Sequence, residues 1–152
     1  MKSEKYYSSA KILPVTWASD FNSREVALAR SANSGNIKPM GGGIEIGEMP
    51  IYGARRETFE ESGLRATLDR FVFIGKFFEK TSGKGKYPVG TILLNYWYII
   101  TLDATEQLFP DDDVSDFVSC SFADAAELLS HKNTADIYRR KLLPVLQKKY
   151  HY

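Results

Sequence analysis

Residues 41–64 read GGGIEIGEMPIYGARRETFEESGL, and this stretch decides how the whole chain is read. Gly41, Gly42, Gly43 and Gly47 come early in it, Pro50 stands where a first helical turn would begin, Arg55 to Ser62 are rich in helix formers, and Gly63 is a stop signal. The pattern predicts a loop, a helix and a C-cap. At about 100° per residue, Glu57, Glu60 and Glu61 fall within an arc of roughly 100° on that helix, so three carboxylates share one face. Crowded carboxylates repel unless a cation offsets them, and an all-oxygen donor set suits hard ions such as magnesium or manganese. Ile51, Ala54 and Thr58 cluster on a neighbouring face that can pack on a sheet while the acids point into a cleft. Arg56 precedes Glu60 by four residues and can pair with it. Gly53 lies toward the acidic face, where the missing side chain would leave room for phosphate. The glycines ahead of the helix let backbone approach an ion or anion closely. Taken alone, such a run also fits a solvated acidic helix face after a glycine turn.

Outward from this segment, the chain reads as one domain over residues 1–152. Its 152 residues, 43% hydrophobic and 13% aromatic, are enough to bury a core. The 20 Lys and Arg against 19 Asp and Glu give a net charge of +1, which supplies no global attraction to nucleic acid or membrane. The single Cys120 excludes an internal disulfide and reads as a small buried apolar side chain in a reducing compartment. Met1 to Ser9 lack the apolar core of a signal peptide, so the expected location is cytoplasmic, and Val89 to Leu102 are too short to cross a bilayer as a helix.

Ile12 to Ser19 and Glu25 to Ser31 are predicted strands joined by a turn, followed by a loop over Ala32 to Met40. Beyond the helix, Leu68 to Glu79 and Thr91 to Leu102 are predicted to form a long hairpin, and Val114 to Ser121 a further strand. Ser121 with Asp124 marks a helix start, and Thr134 is a candidate cap for a last helix toward Lys149 that Pro144 would kink or split. The order of elements implies one α+β domain with three helices covering a sheet.

Gly42, five residues, Glu48, seven residues, then Arg56, Glu57, Thr58, Phe59, Glu60, Glu61, Ser62, Gly63 and Leu64 together resemble the complete Nudix box. Thr58 stands where an aliphatic residue is usual, and Met40 where proline often precedes the glycine pair. The resemblance implies a Nudix fold, a mixed β-sheet sandwiched between α-helices, and a magnesium-dependent hydrolase, with manganese a substitute. It implies cleavage of a diphosphate linkage in a nucleoside diphosphate joined to another moiety, such as a nucleoside triphosphate or nucleotide sugar. Carried onto this chain, it makes Glu57, Glu60 and Glu61 metal ligands together with the Gly41 carbonyl. Arg56 orients the glutamates, and Glu48 braces the loop, with Gly42 and Gly63 as structural positions.

Within the box Glu60 is the first candidate for general base. Asp113, in the Asp111, Asp112, Asp113 run, is a second that reads equally as part of a solvated turn, and Glu79 and Glu106 are weaker options. Lys84 and Lys86, with Lys80, sit on the expected hairpin loop as candidates for further phosphates or as solvated lysines. Trp17, Phe78, Tyr96 and Trp97 could stack on a base or fill the core, and period-two alternation sets Tyr96 and Tyr98 opposite Trp97. His131 reads as a loop residue. Two other functions stay open: a hydrolase for diphosphoinositol or other polyphosphates, and a non-catalytic module that senses a nucleotide. The expected partner is a small-molecule diphosphate, with neither membrane nor nucleic-acid polymer, and a homodimer is left open.

Overall fold

The central strand of the sheet carries the fold. β1 (Tyr6–Thr16) runs parallel to β6 (Ile92–Thr101), from Tyr6 opposite Ile92 to Val15 opposite Thr101. A strand paired in this way must be covered on both faces, and Ala10, Ile12, Leu13 and Val15 of β1 have no exposed surface. The computed structural model describes residues 6–16, 24–81 and 87–150.

On the far side of β6 lies the edge strand β5 (Val72–Lys80), antiparallel to it with a bulge between Phe73 and Gly75. The other edge of β1 is shared. Its end pairs with β2 (Glu25–Ser31) through Val15 opposite Val26, while its first half pairs with β4 (Met40–Gly43) from Ser9 opposite Gly43 to Ile12 opposite Met40. The short β3 (Ile37–Lys38) pairs with β2, and Pro39 separates it from β4. β7 (Val114–Cys120) closes the far edge of β2. The sheet is mixed, as expected, with helices on both faces.

Alternation along the strands builds two cores. Leu13, Val15, Trp97 and Ile99 face one side, under α2 (Phe122–Leu128), α3 (Lys132–Ile137) and α4 (Leu143–Tyr150). Ala10, Ile12, Tyr98 and Ile100 face the other, under α1 (Pro50–Ser62), which contributes the fully buried Ala54. Ile51 packs on that second cluster and Thr58 is fully buried, so the helix face expected to meet the sheet does so. Trp97 belongs to the first core, Tyr96 packs against the second, and Cys120 is buried with its thiol pushed up to about 11 by burial. No helix among the described residues is long and apolar enough to cross a membrane.

Several boundaries differ from the sequence reading. β1 begins at Tyr6 rather than Ile12, because its polar first half is held by partners on both edges. The expected loop before the helix contains β3 and β4: a glycine run with little strand propensity becomes a strand because β1 supplies an edge. Leu68–Arg70 form a 3₁₀ turn instead of starting β5. Thr134 does not cap a helix; α3 starts at Lys132, and the Thr134 hydroxyl donates to Glu79 Oε1 at 2.8 Å. Pro144 does not split the last helix, since a π turn over Tyr138–Leu142 carries the chain from α3 into α4. Lys84, Lys86 and Trp17 lie outside the described residues.

Candidate active site

The site forms where β4 meets α1. Gly41 has φ 140°, and a Cβ there would lie 1.9 Å from the Ala10 carbonyl oxygen, so only glycine lets β4 pair with the central strand at this point. Its N–H is turned toward the helix and donates to Glu61 Oε1 at 2.6 Å. At Gly42 an added Cβ would sit 2.5 Å from Glu57 Oε1, so the glycine leaves the space that this carboxylate fills. Gly63 ends α1 in the left-handed region, with φ 72°.

Arg56 ties these pieces together. Its Nε and Nη2 donate to Oε2 and Oε1 of Glu48, each at 2.9 Å, and Nη2 also reaches the Gly43 carbonyl at 2.8 Å. Its Nη1 donates to Glu57 Oε1 at 2.9 Å and to Glu60 Oε2 at 3.2 Å. Loop, strand and helix are therefore joined through one guanidinium, whose planar fork makes the two parallel bonds to Glu48. Glu48 Oε1 also accepts from the Glu45 N–H at 3.1 Å, and a Cβ at Gly53 would come within 3.1 Å of the same oxygen. Gly53 thus makes room for Glu48, not for phosphate as its place on the helical wheel suggested.

The carboxylates differ in environment. The Arg56 hydrogen bonds hold the Glu48 carboxyl below the usual carboxylate range, and Glu48 in turn pushes Arg56 up, so both stay charged. Burial pushes Glu57 up, a shift only partly offset by Arg56. Burial also pushes up Glu61, which is 5% exposed, against the opposing pull of Lys38. Lys38 Nζ stands 3.7 Å from Glu61 Oε2. Glu60 is the open member of the set, its side chain 52% exposed and bound only to Arg56 among the described residues.

Glu57, Glu60, Glu61 and Lys38 border a cleft of about 430 Å³ that is also lined by Ser9, Lys11, Tyr87, Asp111 and Asp113. Asp113 therefore reaches the site. Asp111 shapes the turn beside it, its Oδ1 accepting from the N–H groups of Asp113 at 3.0 Å and Val114 at 3.1 Å, and its charge adds to the upward shift of Glu61. The weaker options lie elsewhere. Glu106 is held by Arg70 at 2.5 and 2.7 Å, and Glu79 by Thr134. Phe78 is 64% exposed on the edge strand. His131 stands at the start of α3, bordering a groove beside the cleft.

The carboxylates do not converge on a point: among the described residues no three acidic, histidine or cysteine side chains are close enough to form a ready cation cage. Glu57 and Glu60 turn toward Arg56, and Glu61 toward Gly41 and Lys38. The donor set nevertheless fits a hard divalent cation. It offers only oxygens, and for the half-buried Glu57 and the buried Glu61 the loss of solvation outweighs what the neighbouring cations offset.

Lys38 and Lys11 were missed in the sequence. The signal for Lys11 is its alternation with Leu13 and Val15, since a lysine on the buried face of a central strand marks a cavity. Lys38 carries no comparable signal, because its position depends on the bend at Pro39 and the pairing of β3 with β2.

The family model for the NUDIX domain matches residues 15–145. The fold is similar to that of an Ap4A hydrolase from C. elegans, at TM-score 0.73 and 16% identity over 93% of this chain and 98% of that one. A MutT protein from Methanosarcina mazei Go1 superposes at TM-score 0.73 and 16% identity over 97% and 99% of the two chains. The NUDIX domain of Shewanella oneidensis NrtR, solved with ADP ribose, superposes at TM-score 0.70 and 12% identity over 95% and 90%. No curated protein matches the sequence.

Proposed function

This chain belongs to the Nudix family of hydrolases, and we propose that it cleaves, with magnesium, a diphosphate linkage in a nucleoside diphosphate joined to a further group. The observation that carries the reading is the gathering of the buried Glu61, the half-buried Glu57 and the open Glu60 on one polar cleft beside the Gly41–Gly43 backbone. The structural relatives crystallised with, or named for, nucleotide ligands agree with a nucleotide as the bound group.

In this reading Glu57, Glu60 and Glu61, with the backbone at Gly41, hold the cation. When bound, magnesium, or manganese in its place, draws charge from the diphosphate oxygens and acidifies the attacking water. Arg56 keeps Glu57 and Glu60 in fixed rotamers through the guanidinium that Glu48 anchors. Glu60 acts as general base, because its second oxygen accepts no bond among the described residues and solvent reaches it. It takes the proton as the water oxygen bonds to phosphorus, and the bridging P–O bond breaks toward the leaving phosphate. Asp113 is the runner-up for this role. Lys38 and Lys11 line the same cleft, Lys38 beside Glu61, and offset the charge on non-bridging oxygens.

The test is product release with magnesium from nucleoside triphosphates, nucleotide sugars, ADP-ribose, dinucleoside polyphosphates and diphosphoinositol phosphates, with Glu61→Gln as blank. Turnover of one class that the variant loses supports the reading and names the substrate. Binding without turnover by the wild type replaces it with a nucleotide sensor.

A further inference from the structure

A second cavity, of about 580 Å³, opens beside the cleft between the end of β5, the start of β6 and the first residues of α3. It is not a separate pocket. Lys11, Lys38, Tyr87 and Leu93 border both, so the two form one trough with the glutamates at one end. The charge changes sign along it. Beyond Lys38 the walls carry Lys80 and Lys132, and Glu79, the acid among them, is engaged by the Thr134 hydroxyl. Among the described residues no ion pair joins Lys80 or Lys132 to a carboxylate.

Such a trough suits an extended anion. A cation held by the glutamates neutralises one diphosphate, and a short substrate ends there. A longer phosphate chain runs past Lys38 and brings further negative charge to the two outer lysines, whose compact ammonium groups suit phosphate oxygens. We propose that the basic limb of this trough selects substrates with more than two phosphates, Lys80 and Lys132 contacting those beyond the scissile linkage. This rests on the hydrolase reading for the position of the scissile bond, but not for the affinity of the limb itself.

Two measurements separate the claims. In the first, calorimetry in chelator follows inorganic tetrapolyphosphate binding to the wild type, to the pair Lys80→Ala with Lys132→Ala, and to the pair Lys148→Ala with Lys149→Ala on the distant α4. The groove pair is expected to weaken binding about tenfold or more, as lost charge-assisted hydrogen bonds would, and the α4 pair to leave it nearly unchanged. Equal weakening by both pairs reduces the effect to net charge and overturns the proposal. In the second, with magnesium, the groove pair should raise KM for a nucleoside tetraphosphate about tenfold while leaving a nucleoside diphosphate sugar within twofold and kcat unchanged. An equal rise for both substrates overturns the proposal while the hydrolase reading stands. A wild type that binds tetrapolyphosphate through the groove pair yet turns over nothing leaves the limb supported and the hydrolase reading overturned.

Discussion

Glu61 combines burial, a bond from the Gly41 N–H and a lysine within 4 Å, and each has a consequence for substitution. Glutamine keeps the shape and an oxygen that can accept from Gly41, but it brings no charge to a cation. The expected result for Glu61→Gln is a loss of roughly 10²–10³ in kcat or more, comparable with removing one fixed electrostatic contact in a transition state. In chelator its Tm should not fall, because an ionised carboxylate that burial disfavours has been removed. Activity near the wild type, measured beside an unchanged melting curve, would remove Glu61 from the metal site. The adjacent glycines supply a contrast. Gly42→Ala places a methyl group where the Glu57 carboxylate lies but leaves the backbone unstrained, so activity should drop with little change in Tm. Gly41→Ala drives a methyl into the Ala10 carbonyl at a backbone angle that alanine resists, which should cost about 3 kcal/mol or more and yield poorly folded protein. Soluble Gly41→Ala with a normal melting temperature would contradict the close pairing of β4 with β1.

At the scale of elements, α1 is stopped and held by different residues. Gly63 ends it with φ 72°, so Gly63→Ala should cost about 1 kcal/mol, or roughly 2–4 °C in Tm, with kcat nearly intact. Arg56 holds its acidic face, and Arg56→Lys keeps the charge but loses the fork. A lysine cannot reach Glu48, Gly43, Glu57 and Glu60 together, so stability should fall by about 2–3 kcal/mol through the poorly solvated Glu48. kcat should fall as well, since Glu57 and Glu60 lose their shared partner. A Lys variant with wild-type kcat and only a lower Tm would confine Arg56 to a structural part. The helix itself was legible from Pro50 to Gly63 because caps and period are local signals, and so was the common face of the three glutamates. β4 was not, since four residues reading MGGG have no strand character of their own and take it from a distant edge in the sequence, with Ser9 opposite Gly43 and Ile12 opposite Met40. The polar start of β1 was missed for a related reason. Ser9 and Lys11 interrupt the apolar pattern because they border the cleft, which is where local pattern and function conflict.

For the whole molecule, cation binding and folding are linked through the same two glutamates. Burial raises both Glu57 and Glu61 above the ordinary glutamate value, so in the metal-free protein the folded state holds these protons more tightly than the unfolded state does. Where pH rises from the ordinary value through the raised ones, the unfolded chain has released protons that the folded chain still binds, and stability falls with pH across that window. A divalent cation binds the ionised carboxylates in the folded state alone, so its stabilisation grows across the same window. Melting temperatures measured in chelator should therefore decline from acid toward neutral pH, and magnesium should restore them by an increment that is small at the acid end and largest above it. Glu57→Gln with Glu61→Gln should remove the decline attributable to these groups and most of the magnesium increment, because both strained charges are gone and Glu60 is the one charged ligand left. A magnesium increment of equal size at every pH, or one that survives undiminished in the double variant, would place the cation away from these carboxylates and detach the chemistry of the cleft from the helix that presents it.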